Sequence, residues 1–274
     1  FFLKDSEFCV FLYKRFRTLI VPCAFFWAIS FICATPLLYL RNRSLFFERL
    51  SDHTLFYFIT VNPPLWFLIA LWWALIASFI IIYVISPRKR GGQLFISLIC
   101  FTLGYILAKK GLYLFYITHG LIATPFVVIG RIYYQYKDKI NKKVILISAV
   151  LGFLLSYHYF KPIVNLSILE LPSNPFAYLL PSLSGSFMII SICYFIGNLS
   201  KVKFLSYLGA LSLFIMALHG NVEPFIRPLH NYITNNWIYS LLATFIECSL
   251  SFYLGLFLMN KFPLLFSYKK NEKT

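Results

Sequence analysis

Three ionisable side chains in this sequence sit among apolar residues, and each could move a proton. His219 closes the stretch LGALSLFIMALHG, His119 interrupts YITHGLIATPF, and Glu247 is embedded in LATFIECSLSF. Imidazole exchanges protons near neutral pH, so either histidine can serve as a general base toward a hydroxyl. A carboxylate in an apolar run costs about 2.5–3.5 kcal/mol on membrane-insertion scales unless it is protonated, paired or facing water. Each residue also has a quieter reading. His219 can be satisfied by water at headgroup level, His119 by hydrogen bonds between packed helices, and Glu247 by a structural partner.

A different chemistry is suggested by FLYKRFRTLIVP, where Lys14, Arg15 and Arg17 precede Pro22. The planar guanidinium fork suits phosphate oxygens, so this cluster is a candidate anion site. Membrane topology alone would also collect basic residues there. Arg88–Lys89–Arg90 and the basic residues of 131–143 read as solvated positive-inside residues. The six cysteines show no CxxC spacing and lie in or beside apolar runs, so they read as small buried apolar residues. No metal site is expected from them, and no Gly-rich phosphate loop, zinc motif or GxSxG elbow is present.

The elements that must position these groups follow from composition. Hydrophobic residues make up 60% of the chain and charged residues only 12%, with a mean hydropathy of +0.76. A soluble domain is about 25% charged, so 274 residues of this kind form an all-α, polytopic transmembrane bundle. Eight apolar runs are long enough to cross a bilayer: 18–40, 65–86, 92–108, 112–130, 144–160, 177–197, 204–220 and 237–260. Lys and Arg divide unevenly between alternate loops, 18 on one side and 7 on the other. The richer side takes both termini, which places them in the cytoplasm. Basic residues confined to short loops between spans are a poor fit to a nucleic-acid surface. With this orientation all five histidines fall in the outer half. His119 lies seven residues into its expected span, about 11 Å deep at 1.5 Å per residue.

Four stretches, taken in order, resemble the membrane-bound acyltransferase family 3, which includes sugar O-acetyltransferases and fucose 4-O-acetylase-like proteins. FLYKRFRTLIVP is similar to the family's basic segment with its following Leu–Ile–x–Pro, and PPLWFLIALWW to its Leu–Trp–Phe–Leu helix start. TPFVVIGRIY resembles its Pro–Phe-to-Gly helix, and LGALSLFIMALHG its late Ser–Leu–x–Ile–x–x–x–His helix. The likeness runs over roughly residues 1–260, so the resemblance implies one integral-membrane acyltransferase-like domain over 1–274.

The resemblance also bears on the first residues, FFLKD. Family members carry two earlier helices, the second ending in a Ser–Gly–x–Leu–Phe–Phe-like run. FFLKD resembles the tail of that run, which implies that the sequence lacks about two spans. The family's best-known catalytic His, with an Arg upstream, belongs to the first of those helices, and no residue here matches either. His219 matches a late family His. His119 has no placed counterpart.

What the resemblance implies for activity is O-acyl transfer. An acyl group, acetyl by family habit, would pass from acetyl-CoA to a sugar hydroxyl of a surface polysaccharide or its lipid-linked precursor. The setting would be the bacterial inner membrane, with membrane lipids as surroundings. Lys14, Arg15 and Arg17 would meet the phosphates of acetyl-CoA, and His219, His119 and Glu247 would serve catalysis or hold the acceptor. Two rival readings involve other classes: a flippase for lipid-linked sugars without covalent chemistry, and a membrane glycan polymerase or ligase. Internal repeats would mark a transporter, and none is evident. A large outer loop would mark the other, and the longest outer loop here is 41–64.

Overall fold

The computed structural model describes residues 5–41, 62–85, 89–112, 114–161, 164–197, 209, 211–233 and 235–262. In chain order the helices are α1 (Asp5–Arg15), α2 (Val21–Arg41), α3 (Trp66–Val84), α4 (Arg90–Lys109) and α5 (Ile117–Tyr136), then α6 (Lys142–Phe160), α7 (Pro175–Gly197), α8 (Ser212–Ile226) and α9 (Asn236–Lys261). Among the described residues there is no strand, only an isolated antiparallel bridge between Asn165 and Glu170. A bilayer offers no water to backbone N–H and C=O groups, so apolar runs close their hydrogen bonds internally as helices. Their outer faces stay apolar: Leu155 on α6 is 69% exposed and Phe245 on α9 is 72%. The chain is an all-α polytopic bundle. Among the described residues, six stretches are long and apolar enough to cross a membrane: Phe8–Ile32, α3, α4, α6, α7 and α9.

Each of the eight expected spans overlaps a described helix, but several limits move. The segment expected as an N-terminal loop is helical from Asp5 and joins α2 through a π-helical stretch, Phe16–Ile20. Pro22 has no N–H, and its ring crowds the carbonyl four residues back. The wider turn, closed by Val21 N–H donating to the Phe16 carbonyl, accommodates it. Helix α5 starts at Ile117 rather than 112, because Phe115 and Tyr116 adopt left-handed φ values of 44° and 63°. It also runs on to Tyr136, so the basic 131–143 segment begins inside a helix. Helix α8 continues past the expected end at 220 to Ile226, since Val222 and Ile226, four apart on one face, bury against Ala243 of α9. The first part of that expected span, 204–208, lies outside the described residues.

The chain divides into two compact units, and the division falls within α3. The first is chiefly Ile69–Lys203, and the second is Asp5–Leu68 with Phe204–Thr274. In the first, α4 pairs with α5 and α6 with α7. Its core joins Phe101, Tyr105 and Ala108 of α4 to Ile122 of α5 and to Tyr178 and Leu179 of α7. The Phe101 and Tyr178 rings stack at 6.0 Å and 7°. The loop before α7 folds onto this core through Leu169 and Leu171. Its carbonyls are met from α4: the Tyr105 hydroxyl donates to Pro172, and Lys109 Nζ donates to Leu171 at 2.7 Å.

In the second unit α8 packs on α9. Gly255 makes the close approach possible, for a Cβ there would lie 2.7 Å from Phe214 Cβ and 3.1 Å from its Cγ. Without a hydrophobic force between helices in lipid, such small-residue contacts carry the association. Phe214 also meets Phe26 of α2 edge-on, at 5.7 Å and 89°. Gly255→Leu is therefore expected to lower the thermal midpoint of the purified protein by the equivalent of about 1–3 kcal/mol. Gly130→Ala, at a position with nothing within 4 Å, should leave it in place. Equal midpoints for Gly255→Leu and the unaltered chain would refute close α8–α9 packing.

Candidate active site

His219 lies in the second turn of α8, half-buried. Its Nδ1 is 3.2 Å from the Ile215 carbonyl. A carbonyl only accepts, so the contact is made by Nδ1–H, and in the neutral ring the lone pair is then on Nε2. The helix itself thus sets the tautomer, and Nε2 is the atom that can take a proton. Sequence reasoning put His219 at the outer end of its helix, whereas α8 extends well beyond it.

The turn that carries His219 is gripped from another element. Asn62, fully buried, precedes the 3₁₀ turn Pro63–Leu65 that leads into α3. Its Nδ2 donates to the Ala217 carbonyl at 2.7 Å and to Ser30 Oγ at 2.8 Å. Ser30, also fully buried on α2, spends its own proton on the Phe26 carbonyl at 2.7 Å. Ala217 accepts only and Ser30 has no proton to spare, so the amide cannot be flipped. One side chain therefore ties α2, the start of α3 and α8 together, two residues from His219. Its Oδ1 is buried with no hydrogen-bond partner among the described residues. Beside it, Cys23 Sγ faces the Leu65 carbonyl at 3.8 Å.

Glu247 is half-buried on α9, the helix packed along α8. Gly255 meets Phe214 at one level, and Ala243 meets Val222 and Ile226 at another. His219 lies between those contacts along α8, and Glu247 lies between them along α9. Both groups therefore lie in the interval of this helix pair bounded by those contacts. Lys14, Arg15 and Arg17 belong to the same unit. Lys14 and Arg17 are exposed, at the end of α1 and in the π stretch. The Arg15 guanidinium lies over the Phe11 ring at 5.4 Å, with its Nε buried.

His119 belongs to the other unit. It is 5% exposed and tilts against the Tyr116 ring, 4.7 Å between centroids. It occupies the first turn of α5, not a site two turns deep, because the two left-handed residues delay the helix. Its burial comes from packing. Next to it, Gly120 lies against Trp73 Cβ, and a Cβ there would also lie 3.1 Å from the Ala70 carbonyl oxygen. Left-handed non-glycine residues cost roughly 1–3 kcal/mol each and persist only where neighbours hold them. Trp73 Nε1 donates to the Phe115 carbonyl at 3.2 Å, and Thr118 Oγ1 donates to Leu112 at 2.7 Å.

Sequence reasoning found His219 through its motif, but gave no part in the site to Asn62 or Ser30. The signal was present: a lone amide before two prolines in VNPPLWF, and a serine within FFWAISFICA. His53 and Arg88 lie outside the described residues.

The Asn62 contacts set an order of stability. Asn62→Ala loses both donors and leaves buried acceptors unmet, a cost of about 1–3 kcal/mol. Asn62→Asp should cost more, since a carboxylate oxygen would then face the Ala217 carbonyl. Thermal midpoints of the purified variants check the order, and an Asp variant as stable as the unaltered chain would contradict it.

A family model described as an acyltransferase domain matches residues 1–266. No curated protein and no solved structure matches the chain. The match spans both units and takes in Asn62, His119, His219 and Glu247, so nearly the whole chain is a membrane acyltransferase belonging to acyltransferase family 3.

Proposed function

We propose that the protein transfers an acetyl group from acetyl-CoA to a sugar hydroxyl of a surface polysaccharide or its lipid-linked precursor, in the bacterial inner membrane with both ends of this chain cytoplasmic. The observation that carries the reading is the fixed tautomer of His219: Nδ1–H spent on Ile215, and Nε2 basic. Nε2 removes the proton of the acceptor hydroxyl as its oxygen attacks the thioester carbon. The new C–O bond forms, the C–S bond breaks, and the proton passes from imidazolium to the departing thiolate. The products are the O-acetyl sugar and free CoA.

Because Nδ1 is already held, Glu247 is not needed to orient the ring. We assign it to hydroxyls of the acceptor, in the interval it shares with His219. Lys14, Arg15 and Arg17 offer charge-assisted hydrogen bonds to the phosphates of the donor. The lopsided Lys and Arg distribution supports a cytoplasmic position for that cluster.

The test is incorporation of labelled acetate into glycan by membranes containing the protein. His219→Ala should lower kcat by about 10²–10⁴-fold, the usual worth of a general base. Glu247→Gln should act mainly on KM for the acceptor. Unchanged turnover in both would remove these residues from the site. Glycan that is moved across the membrane without gaining acetate would replace transfer with transport.

For the donor, Lys14→Gln with Arg17→Gln should raise KM for acetyl-CoA while leaving kcat alone, and added salt should weaken the unaltered protein in the same direction. A KM that moves with neither change would place the phosphates elsewhere.

A further inference from the structure

The first unit contains an open cavity of about 470 Å³ that none of the proposed chemistry uses. It is bounded by Leu94 of α4, Ile132 and Tyr136 of α5, Ile145 and Ala149 of α6, and Phe187 of α7. Its size falls in the range of ligand pockets, about 300–1,000 Å³, and its wall is almost wholly apolar. The two serines that line it are already satisfied: Ser148 Oγ donates to the Val144 carbonyl at 2.8 Å and Ser184 Oγ to the Leu180 carbonyl at 2.6 Å. Such a wall has little to offer a sugar or a pantetheine amide, and suits a hydrocarbon chain.

One end of the cavity is cationic. Arg90 precedes Leu94 by one turn of α4, and Lys142 precedes Ile145 by one turn of α6. The Arg90 guanidinium carbon lies 4.3 Å from the centre of the Tyr136 ring, which itself lines the cavity. Arg90 Nε is buried with no hydrogen-bond partner among the described residues. Lys142 Nζ lies 3.7 Å from the centre of the Tyr194 ring, and Lys137 Nζ lies 4.3 Å from that of Tyr134. The surrounding segment 131–143 has five basic residues and a single acid, Asp138. These cations rest on aromatic faces rather than on carboxylates, so their charge is not neutralised locally.

We propose that this cavity is a binding site for an anionic membrane phospholipid, with one acyl chain between α4, α5, α6 and α7 and its phosphate at Arg90 and Lys142. The pairing is one of charge and shape: a hydrocarbon slot ending in basic side chains at the membrane edge selects an anionic headgroup over a zwitterionic one. An arginine held over a ring still presents N–H donors at its edge to phosphate oxygens.

The test uses the full chain in nanodiscs with photoactivatable phosphatidylglycerol, carrying the reactive group in its acyl chain, and a matched phosphatidylcholine probe. Phosphatidylglycerol should label residues 132–149 and 184–187 in preference to phosphatidylcholine. Arg90→Gln with Lys142→Gln should erode that preference about fivefold per cation removed, while phosphatidylcholine labelling, which reports an intact cavity, stays. Should the double variant fail to fold, the unaltered chain still decides, because added salt must erode the same preference. Equal labelling by the two probes, labelling outside these segments, or a preference indifferent to salt would overturn the proposal. So would polyprenyl phosphate displacing phosphatidylglycerol at equal mole fraction, which would give the slot to a lipid carrier instead.

Discussion

A buried amide N–H must find an acceptor in protein, and Asn62 Nδ2 does so by joining three elements at once. In hydrocarbon the cost of an unmet donor is high, so a polar side chain that satisfies two donors narrows the ways in which its neighbours can pack. Ala217 and Ser30 hold the Nδ2 protons, and Ser30 is held in turn by Phe26. The level of α8 at which His219 sits is therefore tied to α2 and to the turn ahead of α3. Apolar packing alone would not fix it so closely, since helices in lipid slide and rotate at small cost unless small residues or hydrogen bonds lock them. In this unit both locks are present, Asn62 on one side of α8 and the Gly255–Phe214 contact on another.

The helices were legible because hydropathy reports what the bilayer demands, and a run such as WFLIALWWALIASFIIIYV has few other fates. Their ends were less legible, since ends are set by contacts that hydropathy does not encode. Helix α5 begins late because Trp73, on a different helix, secures a left-handed Phe115. Helix α8 runs on because Val222 and Ile226 find Ala243. At the N-terminal side, charge suggested a loop where the chain is helical, for Lys14 and Arg15 are good helix formers and can sit exposed on the last turn of α1. The position of His119 along its helix moved for the same reason: counting residues assumes a helix that starts where the apolar run starts.

The candidate site was half legible. His219 stands out because an imidazole is rare in an apolar run, and the motif around it carries the family likeness. Asn62 stands out only once its partners are known, for they lie 32 and 155 residues away in the chain. The basic residues near 131–143 were read as solvated charge, yet three nearby cations lie on tyrosine rings. Loop charge counts give the side of the membrane and say nothing about what a side chain rests on. A guanidinium or ammonium over an aromatic face is held in position without being neutralised.

The ring of His219 is oriented by a neutral acceptor. A carboxylate behind an imidazole fixes the tautomer and stabilises the imidazolium, but in an apolar bundle it carries its own desolvation cost of several kcal/mol. A backbone carbonyl one turn back fixes the same tautomer with a neutral acceptor and adds no buried charge.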